Sequence, residues 1–295
     1  MIVLGNGGLT AKINPFGAEL VSLYHRPRHI EYLWSGDASF WNKHSPVLFP
    51  IVGALKDGCY MYQGNPYFLS RHGFARQMWF EVEVKSKSEA TFILRATKET
   101  KMVYPFDFIL KLSYSLSPSQ LSVTYQVINP ANKKLYFSIG GHPAFALSAQ
   151  DGVIYEDYYL EFEVPETLAL QLSLDGLMTG TALPFLNHEK RIALKKELFY
   201  DDALVFKNPK SRSISLFNSE TSAGFKFNYN DFPYIAIWSA KDSPFICLEP
   251  WYGIADCTSH DHDLTKKEGI ICLEGYGCWK AAWSVEIQAG NGLSD

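Results

Sequence analysis

Two short stretches of this chain end an apolar run with a titratable side chain and follow it with proline. FICLEPWYG, residues 245 to 253, carries Glu249 before Pro250, and YFSIGGHPAFAL, residues 136 to 147, carries His142 before Pro143. A residue preceding proline is pushed toward extended backbone, and proline donates nothing to a sheet ladder. Each group is therefore expected where a strand leaves its sheet. A carboxylate and an imidazole held in this way suit proton transfer, because between about 4.3 and 6.5, their reference pKa values, one is charged and accepting while the other is charged and donating. The choice of carboxylate is open at this stage: IICLEGYG, residues 270 to 277, sets Glu274 after almost the same run. A lone histidine is also an ordinary hydrogen-bonded core or turn residue. The glycines at 140 and 141 favour function, since they let backbone or ligand approach closely.

Three further clusters contain functional residue types. RHGFAR, residues 71 to 76, offers His72 and Arg76 to a polar ligand, or forms a hairpin turn with exposed basic ends. DDALVF, residues 201 to 206, opens an apolar strand with Asp202, which equally suits a turn. SHDHDL, residues 259 to 264, collects the metal-ligand types His260, Asp261, His262 and Asp263, but as a continuous polar run with no distant partner it reads as a solvated loop. No phosphate-binding loop, nucleophile elbow or HExxH helix is present. No metal and no cofactor are expected.

The elements that must position these groups are strands. FDFILKLSYSL puts Phe106, Phe108, Leu110, Leu112, Tyr114 and Leu116 on one face, and LSVTYQVIN repeats the alternation with Leu121, Val123, Tyr125 and Val127. SPSQ between them supplies the turn of a hairpin. Further strands are predicted at 79–84, 91–96, 159–164, 224–229, 233–238 and 283–288. Only HEKRIALKKELF, residues 188 to 199, suggests a few helical turns. A dozen or so short strands punctuated by Gly, Pro and Asn imply an all-β fold, a large antiparallel β-sandwich or barrel. No linker marks a boundary, so residues 1–295 are expected to form one domain.

Composition narrows the partners. With hydrophobic residues at 47%, aromatics at 15% and a net charge of −4, the 295-residue chain has material for a large core and no basic footprint for nucleic acid or an anionic membrane. No apolar run approaches the roughly 18 residues of a membrane span, and MIVLGNGGLT lacks the features of a secretory signal. The five cysteines are odd in number and contain no CxxC pair, which points to reduced, individually buried thiols in a cytoplasmic protein. A small molecule is the expected ligand, and the oligomeric state is unspecified.

The motifs HSPVLFPIVGALKDGCY, RHGFAR, GGHPAF, DDALVFK, CLEPWYGIAD and KKEGIICLEGYG, in this order over nearly the whole chain, resemble the aldose 1-epimerase (galactose mutarotase) superfamily, and within it the LacX-like branch. The resemblance implies a large antiparallel β-sandwich and an isomerase that interconverts the α and β anomers of an aldose without a cofactor. It selects Glu249 as the catalytic base and leaves Glu274 in a turn of a closing hairpin. By the same matching His142 resembles the general acid, His72 and Asp202 the sugar-binding histidine and aspartate, and Arg76 the arginine of the HGFAR motif. Trp238 and Trp251 are candidates for an aromatic platform under a pyranose. One departure concerns position 54, where many relatives carry a substrate-contacting arginine and this chain has Ala54. The missing charge-assisted hydrogen bond motivates one alternative, a non-catalytic sugar-binding or sensing protein on the same fold; another, a sugar-phosphate (hexose-6-phosphate) mutarotase, would need a cluster of arginines at the pocket mouth, and only Arg71 and Arg76 stand near a motif. Asp202 beside His142 is expected to raise the histidine pKa.

Overall fold

The computed structural model describes residues 1–147, 154–219 and 224–288. Its largest sheet is antiparallel throughout and runs, in spatial order, Val47–Leu48, Ile139–Gly141, Phe245–Tyr252, Tyr234–Trp238, Leu204–Lys207, Tyr158–Leu174, Ser213–Asn218, Gly224–Asn228, Cys278–Gln288, Gln120–Ile128, Ile109–Leu116, Glu89–Arg95 and Glu81–Ser86. The hairpin read from alternation is present, with Leu116 opposite Leu121 and Ser117 to Ser119 in the turn. Its strands alternate strictly between buried and half-buried residues, as one core-facing side requires.

The sheet folds back on itself, which makes the sandwich. Phe145, beside the strand Phe245–Tyr252, packs on Phe225 and Phe227 of Gly224–Asn228 with ring centroids 4.3 and 5.9 Å apart. Tyr114 donates a hydrogen bond of 2.6 Å to the Ala18 carbonyl, docking a separate four-stranded sheet (Ile2–Gly5, Leu9–Asn14, Glu19–His25, Ile30–Glu31) on the strand Ile109–Leu116. The aromatic content thus serves mainly to fill the space between facing layers.

Three expectations need correction. Residues 188–199 are not helical: the strand Leu177–Ala193 takes up the first half, and only Lys196–Phe199 forms a 3-10 turn. That strand pairs with Tyr158–Leu174, extending the expected strand at 159–164 into a long hairpin. Its sides are largely exposed and its register slips four times, so neither strand shows the alternation on which sequence inference relies. The cysteines are not uniformly buried either. Cys247 is buried, Cys59 and Cys257 are half-buried, and Cys272 and Cys278 are exposed, on the outward parity of Ile271–Leu273 and Cys278–Gln288.

The third correction concerns Glu249. It does not end a strand, because Phe245–Tyr252 continues through Glu249 and Pro250, with Pro250 opposite Ile235. Proline is tolerated there because the partner on its other side is interrupted. Ile139–Gly141 pairs with the strand at Trp251 and Tyr252, Ala144–Ala146 pairs with it at Phe245 to Cys247, and the His142–Pro143 step lies between them. Leu248 N–H donates across to the Pro143 carbonyl at 3.2 Å, so by parity the donor missing from Pro250 would have pointed into this break.

The two glycines before His142 are needed for packing. A Cβ on Gly140 would lie 2.7 Å from Trp251 Cδ1 and 2.9 Å from the Pro250 carbonyl, and one on Gly141 2.9 Å from the Tyr125 hydroxyl and 3.0 Å from Trp283 Nε1. Gly140→Ala and Gly141→Ala are each expected to destabilise the fold by about 1–3 kcal/mol through overpacking. Urea unfolding should show a lower midpoint with an unchanged m-value.

Candidate functional site

The same register that sets Gly140 opposite Trp251 and Ala144 opposite Cys247 brings His142 opposite Glu249. Cross-strand neighbours project to one face, and here His142 Nε2 lies 3.2 Å from Glu249 Oε2. The two proline-flanked motifs, more than a hundred residues apart in sequence, thus form one buried pair. Glu249 is 1% exposed and His142 8%.

The rest of the floor follows from strand parity. Cys247 and Trp251 share the face of Glu249, while Ala236 and Trp238 on Tyr234–Trp238 and Val205 on Leu204–Lys207 continue it. Ile246 and Leu248 point the other way, into the main core. The resulting pocket, about 230 Å³, is walled by Trp41, Arg71, His72, Arg76, Met178 and Asp202. This lies below the ~300–1,000 Å³ of pockets for drug-sized ligands, leaving room for about one six-membered ring.

All of the expected site residues converge here: Glu249, His142, His72, Arg76, Asp202, Trp238 and Trp251 line this pocket. Glu274 does not; it is exposed in the turn before Cys278–Gln288 and pairs with Lys134 at 3.2 Å. His72 has a positive φ of 68° and is buried. Gly53 N–H donates to its Nδ1 at 3.1 Å, which fixes the neutral tautomer with the proton on Nε2. Asp202 accepts hydrogen bonds from the Ser173 hydroxyl at 2.5 Å and the Ala203 N–H at 2.8 Å.

Sequence reasoning did not number two of the pocket's side chains, Trp41 and Arg71, among the site residues. Trp41 stacks on His142 with centroids 4.8 Å apart and an interplanar angle of 27°, and meets Trp238 edge-on at 5.6 Å. It comes from an irregular loop with no periodicity, so only its type could have flagged it. Arg71, adjacent to a named candidate, reaches the pocket and packs on Gly176, where any Cβ would overlap its guanidinium. Gly176 belongs to the Asp175–Gly176 turn of the long hairpin, whose residues have φ of 51° and 78°. An Asp-Gly pair flanked by leucines is a tight-turn signal that was available in the sequence. Ala54 itself is not on the wall; its neighbours Gly53 and Ala255 are.

Burial dominates the electrostatics. It pushes the Glu249 carboxyl well above the usual carboxylate range, with Asp202 adding to the rise and the Trp251 indole N–H and Arg71 opposing it. It pulls His142 down to about 3, its own backbone working against this and Arg76 and Arg71 reinforcing it. Asp202 therefore acts on Glu249 and does not raise His142 as expected. Both groups favour their uncharged forms in this pocket, so the one proton of the pair is assigned to Glu249. Arg71 and Arg76 have no carboxylate within ion-pair distance among the described residues, and Arg76 Nη2 instead donates to the Arg71 carbonyl at 2.7 Å.

Among the described residues, one cluster of potential metal donors lies at this site. His142, Cys247 and Glu249 offer ligand atoms within 4.8 Å of one another. A cation would want the thiolate, whereas burial and the neighbouring Glu249 push the Cys247 thiol well above its ordinary value. The donor set suits a protonated thiol better. In the polar run 259–264 the donors are engaged by neighbours: His260 faces Asp256 at 3.6 Å, His262 faces Asp57 at 3.0 Å, and Asp261 holds Lys266 at 2.7 Å. No described helix is long and apolar enough to cross a membrane.

Burial, followed by electrostatic repulsion from His142, Arg76, Arg71 and Lys267, holds the His72 pKa well below 6.5. His72 is expected to remain the Nε2–H neutral tautomer at about pH 6, where a free imidazole is largely protonated. Long-range 1H–15N NMR of the ring should show one protonated nitrogen there, and an imidazolium pattern would contradict this geometry.

Comparison with known proteins agrees with the architecture. The family model described as aldose 1-epimerase matches residues 1–268. The chain is 34% identical over 296 residues to the chromosomal protein LacX of Lactococcus lactis subsp. lactis, covering 97% of this chain and 99% of that protein. Among solved structures, a galactose mutarotase related enzyme from Lactobacillus acidophilus superposes with a TM-score of 0.92 at 32% identity, covering 98% of this chain and 97% of the other. A galactose mutarotase-like protein from Lactobacillus casei does so with 0.92 at 31%, covering 98% and 100%. The fold is therefore the galactose mutarotase-like β-sandwich, and this chain belongs to the aldose 1-epimerase family.

Proposed function

We propose that this protein is a mutarotase that interconverts the α and β anomers of an aldose, with Glu249 and His142 as its catalytic pair. The observation that carries the reading is the 3.2 Å His142–Glu249 contact at the floor of a pocket sized for one sugar ring. Anomer exchange requires a proton to leave the anomeric hydroxyl and another to reach the ring oxygen, so that the ring opens, the carbonyl end rotates and the ring closes on its other face. Glu249 as carboxylate takes the first proton and His142 as imidazolium gives the second; closure reverses both transfers. The resting pair already holds the one proton this needs. Moving it from Glu249 to His142 across the 3.2 Å between them produces the reactive form, and the sugar oxygens that enter the pocket solvate the new charges. His72, through its Nε2–H, Asp202 and Arg76 bind hydroxyl groups, and Trp238 and Trp251 supply apolar surface to the sugar face.

The close contact of acid and base favours catalysis over a role limited to sugar binding or sensing. The two arginines without carboxylate partners favour a second reading of the substrate, an aldose carrying a phosphate, since guanidinium forks bind phosphate bidentately. The protein is proposed to act as a single β-sandwich domain without a cofactor, in the cytoplasm.

Exchange followed by NMR over free and phosphorylated aldoses decides among these readings. Glu249→Gln and His142→Asn should each slow exchange at least about a hundredfold, and Glu274→Gln should leave it nearly unchanged. Sugar binding with no exchange by the wild type would support the binding-only alternative, and full activity in Glu249→Gln would exclude the mechanism.

The pH dependence follows from the direction of the two shifts. Activity needs one proton on the pair, so it falls in acid when the pair gains a second proton and in alkali when it loses its last. With His142 lowered to about 3 and Glu249 raised, the acid limb of kcat/KM should lie below 6.5 and the alkaline limb well above 4.5. An acid limb at the ordinary histidine value would show that burial does not control the pair.

A further inference from the structure

Lys267 stands outside the pocket, yet its side chain is completely buried. Its Nζ donates to Asp256 Oδ1 at 2.8 Å and to the Ile254 carbonyl at 2.6 Å, and the Asp256 side chain is equally buried. A buried ion pair stabilises little by comparison with apolar packing, but removing one partner leaves an uncompensated charge that the fold must expel or hydrate. What matters is what Asp256 holds.

Three segments meet at this one residue. Asp256 N–H donates to the Ala54 carbonyl at 2.9 Å, its Oδ2 accepts from Lys56 N–H at 3.0 Å, and its carbonyl accepts from Met178 N–H at 2.8 Å. Thr258 N–H returns a bond to the Met178 carbonyl at 2.8 Å. The first contacts fix the 53–56 segment, in which Gly53 N–H orients the His72 ring and the Gly53 carbonyl accepts from His72 N–H at 2.9 Å. The others fix the tip of the long hairpin, which presents Met178 to the pocket and Gly176 to Arg71. Between them Ala255 lies so close to Gly53 that a Cβ there would sit 2.6 Å from the Ala255 backbone, leaving no slack.

We propose that the buried Lys267–Asp256 pair is a positioning device for the substrate site, joining the loop that orients His72 to the hairpin tip that seats Arg71. Lys267 touches neither the sugar nor the reacting atoms. Its loss would release residues 254–258 toward water to hydrate Asp256, and both walls of the pocket would move with them. The effect on turnover rests on the mutarotase reading, whereas the structural effect does not.

The test compares Lys267→Met and the charge-neutral double variant Asp256→Asn/Lys267→Met with the wild type, as full-length chains, by NMR amide hydrogen exchange and exchange kinetics. In Lys267→Met the Gly53 and Met178 amides should lose protection at least about tenfold while amides of Gln120–Ile128 keep theirs, and KM should rise about tenfold with kcat within about threefold; the double variant, with no charge left to hydrate, should regain most of both. Uniform loss of protection across the sheet would assign the pair to global stability and overturn the proposal. Unchanged protection at Gly53 and Met178 would overturn it too, as would a fall in kcat with constant KM. If Lys267→Met does not fold, Lys267→Gln, which also leaves the Asp256 carboxylate without its cation, decides by the same readings. A wild-type chain that exchanges no anomer refutes the mutarotase reading, and the protection of Gly53 and Met178 still decides this one.

Discussion

The site depends on one cross-strand pairing, His142 opposite Glu249, and on the interrupted ladder that allows it. A proline inside a central strand ordinarily removes a needed hydrogen bond. Here Pro143 and Pro250 lie on either side of the same gap, so the donor that each lacks has little ladder to serve. The break leaves a stretch of sheet where two titratable side chains face each other on extended backbones, between the buried strands that carry them. Preorganisation of this kind comes from regular sheet geometry, with the irregularity confined to the His142–Pro143 step.

Around that pair the pocket is assembled from loops of unrelated sequence position. His72 is set by a backbone N–H from residue 53, Arg71 by a glycine in the turn at 175–176, and Trp41 by an irregular loop that stacks on the imidazole. Such loops have little internal structure to hold them. Shared hydrogen bonds between them do this work, many converging on Asp256 and the lysine that neutralises it. The floor is rigid because it is sheet; the walls are rigid because they are tied together.

Burial sets the protonation of the pair more strongly than any single charge. Placed in water, the same two side chains would separate into imidazolium and carboxylate near pH 5.5 or so, midway between their reference values. In the pocket desolvation disfavours both charges; Arg76 and Arg71 push in the same direction on His142, while Arg71 favours the Glu249 carboxylate. The result is a site whose one proton both shifts assign to Glu249, and which a polar ligand can draw toward His142 by replacing the lost solvation.

Much of this was legible in the sequence, for definable reasons. Alternation in FDFILKLSYSL and LSVTYQVIN identified the hairpin because one face of each strand is dry and the other half-wet. The proline-flanked motifs marked His142 and Glu249 because the residue before proline has few conformations open to it. The long hairpin was not legible, since strands exposed on both faces need no alternation, and the exposed cysteines were misjudged because residue type alone does not fix parity. Sequence therefore determined the kind of elements, the all-β class and the residue types available for proton transfer. It did not determine which strand break would face which carboxylate, that Glu249 would sit within its strand, that Asp202 would act on Glu249, or that Arg71 would find a seat on Gly176. Those depend on contacts between residues tens to hundreds of positions apart, and only the tertiary structure brings such residues within hydrogen-bond range and out of water.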